Sequence, residues 1–162
     1  MSSFRNKVIG LDQLKDWRKR YRASGRRLVV TNGCFDILHL GHAIYLESAS
    51  ALGDDLLVGV NGDESVRQLK GEGRPVNPEM DRAELLGALA CVQFVCVFPD
   101  VSAAEFLRLA APDVYAKGGD YTLETLNQTE REIVEEGQGE IRFIPFLEGR
   151  STSSTIDRAR LG

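Results

Sequence analysis

The sequence predicts an α/β fold: a doubly wound parallel sheet of about five strands with helices on both faces. Three observations lead there. Short, nearly continuous apolar runs alternate with amphipathic segments along the whole chain. The first two runs, around Val29 and Val58, are separated by the length of one strand–helix–strand unit. No internal repeat or low-complexity linker interrupts the pattern, and 162 residues with 43% hydrophobic content support one domain with one core. Residues 1–162 are therefore read as a single domain, with residues 1–25 as an N-terminal helical brace.

Each element has its own signal. Leu11, Leu14, Trp17 and Tyr21 recur at helical spacing, so residues 11–24 form an amphipathic helix that Gly25 ends. LVVT, from Leu28 to Thr31, reads as a buried strand, and HAIYLESASAL, from His42 to Leu52, as a helix stopped by Gly53. LLVGV, from Leu56 to Val60, completes the unit and implies a parallel pair. Asn77 and Pro78 supply a cap and a first-turn proline for a helix carrying Arg82, Leu85, Leu86 and Leu89. FVCVF, from Phe94 to Phe98, is the third strand. Ser102 with Glu105, and Thr129 with Glu132, have capping-box spacing for two further helices flanking a strand at Val114 to Ala116. Ile141 to Phe146 is the fifth strand, and STSSTIDRARL opens on cap residues and forms the last helix. The outline is Rossmann-like.

Composition sets the class of partner. A net charge of −4 and a pI near 5.3 argue against a nucleic-acid surface, which needs clustered lysine and arginine. Arg18, Lys19, Arg20, Arg22, Arg26 and Arg27 form one basic run, read as the solvated face of a helix. Cys34, Cys91 and Cys96 are odd in number and lack metal-ligand or CxxC spacing, which suits a reducing compartment. MSSFRNK has no apolar leader region, and no apolar run is long enough to cross a bilayer. The expectation is a cytoplasmic protein acting on a small molecule, with neither nucleic acid nor membrane as partner.

TNGCFDILHLGH, from Thr31 to His42, holds both histidines of the chain, His39 and His42. It follows the first strand, where ligands of open α/β sheets bind beyond the carboxyl ends of the strands. Neither GxGxxG nor GxxxxGK[ST] is present, so pattern supports neither a dinucleotide fold nor a Walker-type ATPase. HLGH lies where the loop becomes the first turn of a helix, whose free N–H groups and dipole favour anions. Two imidazoles add N–H donors, and Gly41 leaves room for a phosphate near the backbone. That combination suits charge stabilisation in phosphoryl-type transfer. A zinc site is the competing reading of the histidine pair, with Asp36 as the one further ligand in the segment. Cys34 lacks a base partner in the pattern and is set aside as a nucleophile.

GCFDILHLGH, with its HxGH core, resembles the signature of the cytidylyltransferase-like nucleotidyltransferases. The resemblance continues through LKGEGRPVNPEMDR, DVYAKGGDYT and EGRSTSSTI, and so covers nearly the whole chain in order. It looks most like the adenylyltransferase domain of the ADP-heptose synthases of bacterial lipopolysaccharide assembly. In that group ATP and D-glycero-β-D-manno-heptose 1-phosphate give ADP-heptose and pyrophosphate with Mg²⁺. The resemblance implies catalytic roles for His39, His42, Arg82 and Lys117, the arginine reaching a phosphate with its forked guanidinium. It implies nucleotide contacts from Asn32, Gly33, Cys34, Phe35, Asp36, Gly41, Gly118, Ser151, Thr152 and Ser153. No protein ligand for the metal is identified, and a homodimer is the family expectation. Gly71, Gly73, Pro75 and Pro78 punctuate a segment expected to be a mobile loop over the site. A glycerol-3-phosphate cytidylyltransferase-like enzyme and a catalytically idle nucleotide-binding regulator remain the alternatives.

Overall fold

Five parallel strands stand in the order β3-β2-β1-β4-β5, with β1 (Leu28–Gly33) at the centre of the sheet. The computed structural model describes residues 3–119, 121–145 and 152–160, the side chains of 152 and 160 excepted. From β1 the chain passes through α2 (Leu40–Ser50) to β2 (Asp55–Asn61), then through α3 (Asp63–Lys70) and α4 (Glu79–Ala88) to β3 (Phe94–Phe98). It then returns across the sheet through α5 (Ala104–Ala110) to β4 (Val114–Gly118), and through α6 (Gln128–Glu136) to β5 (Glu140–Ile144) and α7 (Thr152–Arg160). β1 pairs with β2 on one side and with β4 on the other, so successive connections leave β1 in opposite directions. The crevice between β1 and β4 is the switch point, and the TNGCFD turn opens directly onto it.

The two-residue period of the strands divides the core. Leu28 and Val30 face a layer built by α1 (Leu11–Ala23), α5 and α6, where Leu14, Phe106, Leu107 and Val134 are buried. Val29 faces the opposite layer, where Leu46 and Ala49 of α2 pack with Ala83 and Leu86 of α4. α1 packs on the sheet: Trp17 stacks on Tyr21 at 5.1 Å and meets Phe94 edge-on at 4.7 Å, while the Tyr21 hydroxyl donates to Asp55 at 2.8 Å. Gly25, at φ +71, ends that helix in the left-handed conformation its sequence position predicts. The basic run is not one solvated face. Arg18 is buried, donates to the Ala111 carbonyl and pairs with Asp113 at 3.0 Å, and Arg26 pairs with Asp55 at 2.7 Å.

Several boundaries shift for physical reasons. α2 starts two residues early, with His39 in the cap position, which places His42 inside the first turn. α3, which the sequence pattern did not bound, is a short polar helix with Val66 as its buried apolar anchor. Neither capping box forms as spaced. α5 is capped at Ala103, with Ser102 accepting from the Ala104 N–H, while α6 is capped by Asn127, whose side chain accepts from the Glu130 N–H at 3.1 Å. β4 runs two residues further than expected, to Gly118, and β5 spans Glu140–Ile144, Phe146 lying outside the described residues.

Gly59, mid-strand in β2, lies against the Phe106 ring so closely that an added Cβ would stand 2.5 Å from a ring carbon. Phe106 is itself buried and stacked on Phe98 at 5.1 Å. Gly59→Ala is expected to destabilise the fold by about 1–3 kcal/mol from overpacking, read as a lower urea midpoint. Phe106→Leu should recover part of that loss in the double variant, and simple additivity of the two losses would contradict the packing argument.

Candidate active site

The turn after β1 bends at Phe35, whose φ of +45 is rare for an aromatic residue and marks a backbone held by its surroundings. Its buried ring lies over Gly33, where a Cβ would come within 3.0 Å of it, and meets the His42 ring edge-on at 5.3 Å. His42 in turn stacks on His39, with centroids 3.8 Å apart and planes at 23°. Burial, reinforced by the neighbouring His39, pushes the His42 imidazole down to about 4. It is neutral at physiological pH, and its buried Nδ1 has no hydrogen-bond partner. A neutral imidazole can donate one N–H without being a fixed countercharge.

The two histidines line a cavity of about 600 Å³. Asn32, Gly33, Cys34, Phe35 and Asp36 line it from the β1 end, Lys117 and Gly118 from the β4 end, and Ser153 from α7. Those ten sequence-predicted residues are brought together. Gly41 is buried in the first turn of α2 and is not among the lining residues. Thr152 opens α7, and Ser151 lies outside the described residues. Cys34 faces the cavity as a thiol, since burial pushes it up against the pull of Lys70, Arg82 and Arg74.

Arg82, expected to reach a phosphate, is not among the residues that line the cavity. Its guanidinium is fully buried and lies off the cavity wall, donating to the carbonyls of Asn77 (2.9 Å), Cys34 (2.6 Å) and Asn61 (2.8 Å) and pairing with Asp63 (2.8 Å). It ties together the ends of β1 and β2 and the start of α4, as a positioning group. Cations that do line the cavity are Lys117, Lys70 and Arg74, the last two on the LKGEGR segment whose glycines had drawn attention to its backbone alone.

Asp36 acts as a latch for that segment. Its carboxylate accepts from Arg74 Nε at 2.5 Å and from the backbone N–H of Val76 and Asn77 at 2.8 and 3.0 Å, while Asn77 donates to the Asp36 carbonyl at 2.7 Å. Burial pushes the Asp36 carboxyl upward, but the Asn77 N–H, the Arg74 side chain and the Val76 N–H together outweigh it and hold it below its ordinary value of 3.8. The expected loop is therefore fastened at its 74–77 end, with the left-handed Gly71 and Gly73 ahead of the fastening. These bonds also remove Asp36 from the zinc reading, and no group of three metal-ligating side chains occurs among the described residues.

Lys117 is only 8% exposed at the end of β4. Its ammonium donates to Asn32 Oδ1 at 3.3 Å and lies 4.7 Å from the centroid of Tyr121, which also lines the cavity. Desolvation lowers its pKa, a tendency that the negative field of Glu130 opposes.

A family model described as cytidylyltransferase-like matches residues 30–160, from the middle of β1 to the end of α7. The chain belongs to the cytidylyltransferase-like family. The bifunctional protein HldE of a Nitratiruptor species is 47% identical over 147 residues, covering 90% of this chain and 29% of that protein. The HldE protein of Wolinella succinogenes is 45% identical over 152 residues, covering 94% of this chain and 31% of that protein. The chain thus spans about a third of the length of the curated relatives it matches. The crystal structure of the lipopolysaccharide core biosynthesis protein from Thermoplasma volcanium superposes with a TM-score of 0.63 at 25% identity, over 78% of this chain and 100% of that one. The resemblance carried by HxGH and KGGDYT is borne out, as is the doubly wound parallel sheet of this cytidylyltransferase-like chain. No described helix is long and apolar enough to cross a membrane.

The latch predicts that Asp36→Asn speeds amide exchange at Val76 and Asn77 by on the order of a hundredfold, the consequence of breaking a buried pair worth about 3 kcal/mol. Unchanged exchange at both amides would show that the loop is held by something else. In the native protein the latch persists above pH 3.8 and weakens as the pH falls through the lower native value.

His42 gives a second pH signature. Its native value near 4 lies below the ordinary 6.5, so the unfolded chain takes up a proton that the native state refuses. The stability present above pH 6.5 is lost progressively as the pH falls towards 4. The His42 ring protons should titrate near pH 4 in NMR spectra of the free protein, and a midpoint near 6.5 would contradict the buried placement.

Proposed function

We propose that this chain is an adenylyltransferase joining ATP to D-glycero-β-D-manno-heptose 1-phosphate, with release of pyrophosphate and formation of ADP-heptose for lipopolysaccharide precursors. The observation that carries the reading is the stacked His39–His42 pair lining one cavity together with Lys117 at the β1–β4 switch point. A cavity of about 600 Å³ is of the size that small-molecule sites use. The bifunctional relatives and the lipopolysaccharide core biosynthesis protein support the choice of product, and KGGDYT is the segment on which the heptose resemblance rests.

The chemistry is a direct displacement. An oxygen of the sugar phosphate attacks the α-phosphorus of ATP, a P–O bond forms, and the opposite P–O bond breaks with its electron pair leaving on pyrophosphate. The attacking phosphate is ionised at neutral pH, so a strong general base adds little. Holding two anions in line and neutralising the charge that develops supplies the rate. Neutral His42 donates an N–H, and Lys117, Lys70 and Arg74 supply positive charge around the cavity. Mg²⁺ enters this proposal as part of the MgATP substrate, held by triphosphate oxygens and water, since the described residues form no protein cage for it. A homodimer belongs to the same reading on resemblance alone.

The test crosses ATP and CTP with heptose 1-phosphate, glycerol 3-phosphate and phosphoethanolamine, with mass identification of products. ADP-heptose should form preferentially and ATP alone should hydrolyse slowly. His39→Ala and His42→Ala should each lower turnover by about a hundredfold or more with the fold intact. Preferential formation of CDP-glycerol would overturn the substrate assignment, and pyrophosphate from no combination would overturn the activity.

A further inference from the structure

Two buried charges line the cavity without an ion pair among the described residues: the Lys117 ammonium, 8% exposed, and the Glu130 carboxylate, 6% exposed. Two uncharged side chains join them. The single Tyr115 hydroxyl proton is shared between two acceptors, Asn32 Oδ1 at 2.6 Å and Glu130 Oε2 at 3.0 Å, and the same Asn32 oxygen accepts from Lys117 at 3.3 Å. Glu130 is anchored at its other oxygen, which accepts from the Ala103 N–H at 2.9 Å and from Ser102 at 3.3 Å. The carboxylate is therefore held by α5, α6 and β4 at once.

We infer that Glu130 is a positioning residue for Lys117: it shares the Tyr115 hydroxyl proton with Asn32, the ammonium's own acceptor, and supplies the countercharge at a distance that leaves the ammonium open to a substrate phosphate. A carboxylate in direct contact would stabilise the ammonium too, but it would have to be displaced before a phosphate could bind. A charge one relay away raises the protonated fraction without capping the donor. Other groups near Lys117 do not serve. Cys34 and Tyr115 are pushed upward by burial and stay neutral, Tyr121 offers its ring face, and Asp36 is paired with Arg74. The two histidines, Lys70 and Arg74 also line the cavity, and none of them is a countercharge for an ammonium. The inference rests on the adenylyl-transfer reading only for the identity of the anion that Lys117 receives.

The test uses the whole protein and two readouts that need no turnover: the NMR titration of the Lys117 side chain, assigned by its loss in Lys117→Arg, and calorimetric binding of inorganic pyrophosphate. Glu130→Gln keeps the shape and removes the charge. It should lower the Lys117 midpoint, because the raising field of Glu130 is removed. Pyrophosphate affinity should then be unchanged or higher below that midpoint, because a repelling carboxylate is gone, and several-fold weaker above it. In a Lys117→Arg background the same substitution should leave the pH dependence of binding unchanged, because a guanidinium does not titrate there. Tyr115→Phe, which breaks the relay but keeps the charge, should leave the midpoint near the native value and weaken pyrophosphate binding several-fold. An unmoved Lys117 midpoint in Glu130→Gln would overturn the inference, as would pyrophosphate binding in Tyr115→Phe equal to that of the native protein. If the Glu130→Gln variant does not fold, the Tyr115→Phe binding measurement decides alone. A shifted midpoint in a protein that makes no nucleotide product would instead leave the inference standing and remove the adenylyl-transfer reading.

Discussion

The buried Arg82 guanidinium is the interaction on which the site depends. Where β1 and β2 leave the sheet their carbonyls lose their ladder partners, and the start of α4 brings a further carbonyl to the same place. Buried carbonyls without donors are costly, and one planar fork satisfies all three while neutralising Asp63. Everything that lines the cavity on that side follows from this knot. Cys34 sits at the bend that throws Phe35 into its left-handed conformation and aims His42, and Asn77 is both a partner of Arg82 and an end of the Asp36 latch.

A second constraint is electrostatic. On the proposed reading the site receives two phosphates, and such a site has to be positive in their presence without being torn by its own repulsion in their absence. This protein separates its cations: Lys117 is at the β4 end beside Asn32, and Arg74 is on the loop against Asp36. Its two imidazoles are stacked, an arrangement that burial makes tolerable by keeping His42 neutral. The positive charge is thus available from different directions, as the proposed in-line displacement requires.

The sheet was legible because its signal is local: FVCVF, LLVGV and LVVT are apolar runs bounded by turn residues, and all three are strands. Cap positions were less legible, since Asn127, Thr129 and Ser102 are all acceptable caps and packing decides among them. That ambiguity hid Glu130. With Thr129 as the cap it reads as another acid on a charged helix, whereas with Asn127 as the cap it falls at the third helical position and turns inward to Tyr115. Arg82 was singled out as a phosphate contact, whereas its observed bonds go to three carbonyls far apart in sequence, which no spacing rule records. Lys70 and Arg74 were within a segment read for its glycines and prolines, although their charges beside those glycines were the available signal.

The central claim is that the phosphates lie between the HxGH turn and Lys117 while Arg82 holds the frame from behind. A crystal structure of the protein with ADP-heptose bound tests it most directly. The account predicts diphosphate oxygens within hydrogen-bond distance of His42 and Lys117, with the Arg82 guanidinium still on the Cys34 and Asn61 carbonyls. A guanidinium that has left those carbonyls to grip the diphosphate, or a diphosphate bound away from His42 and Lys117, would contradict it.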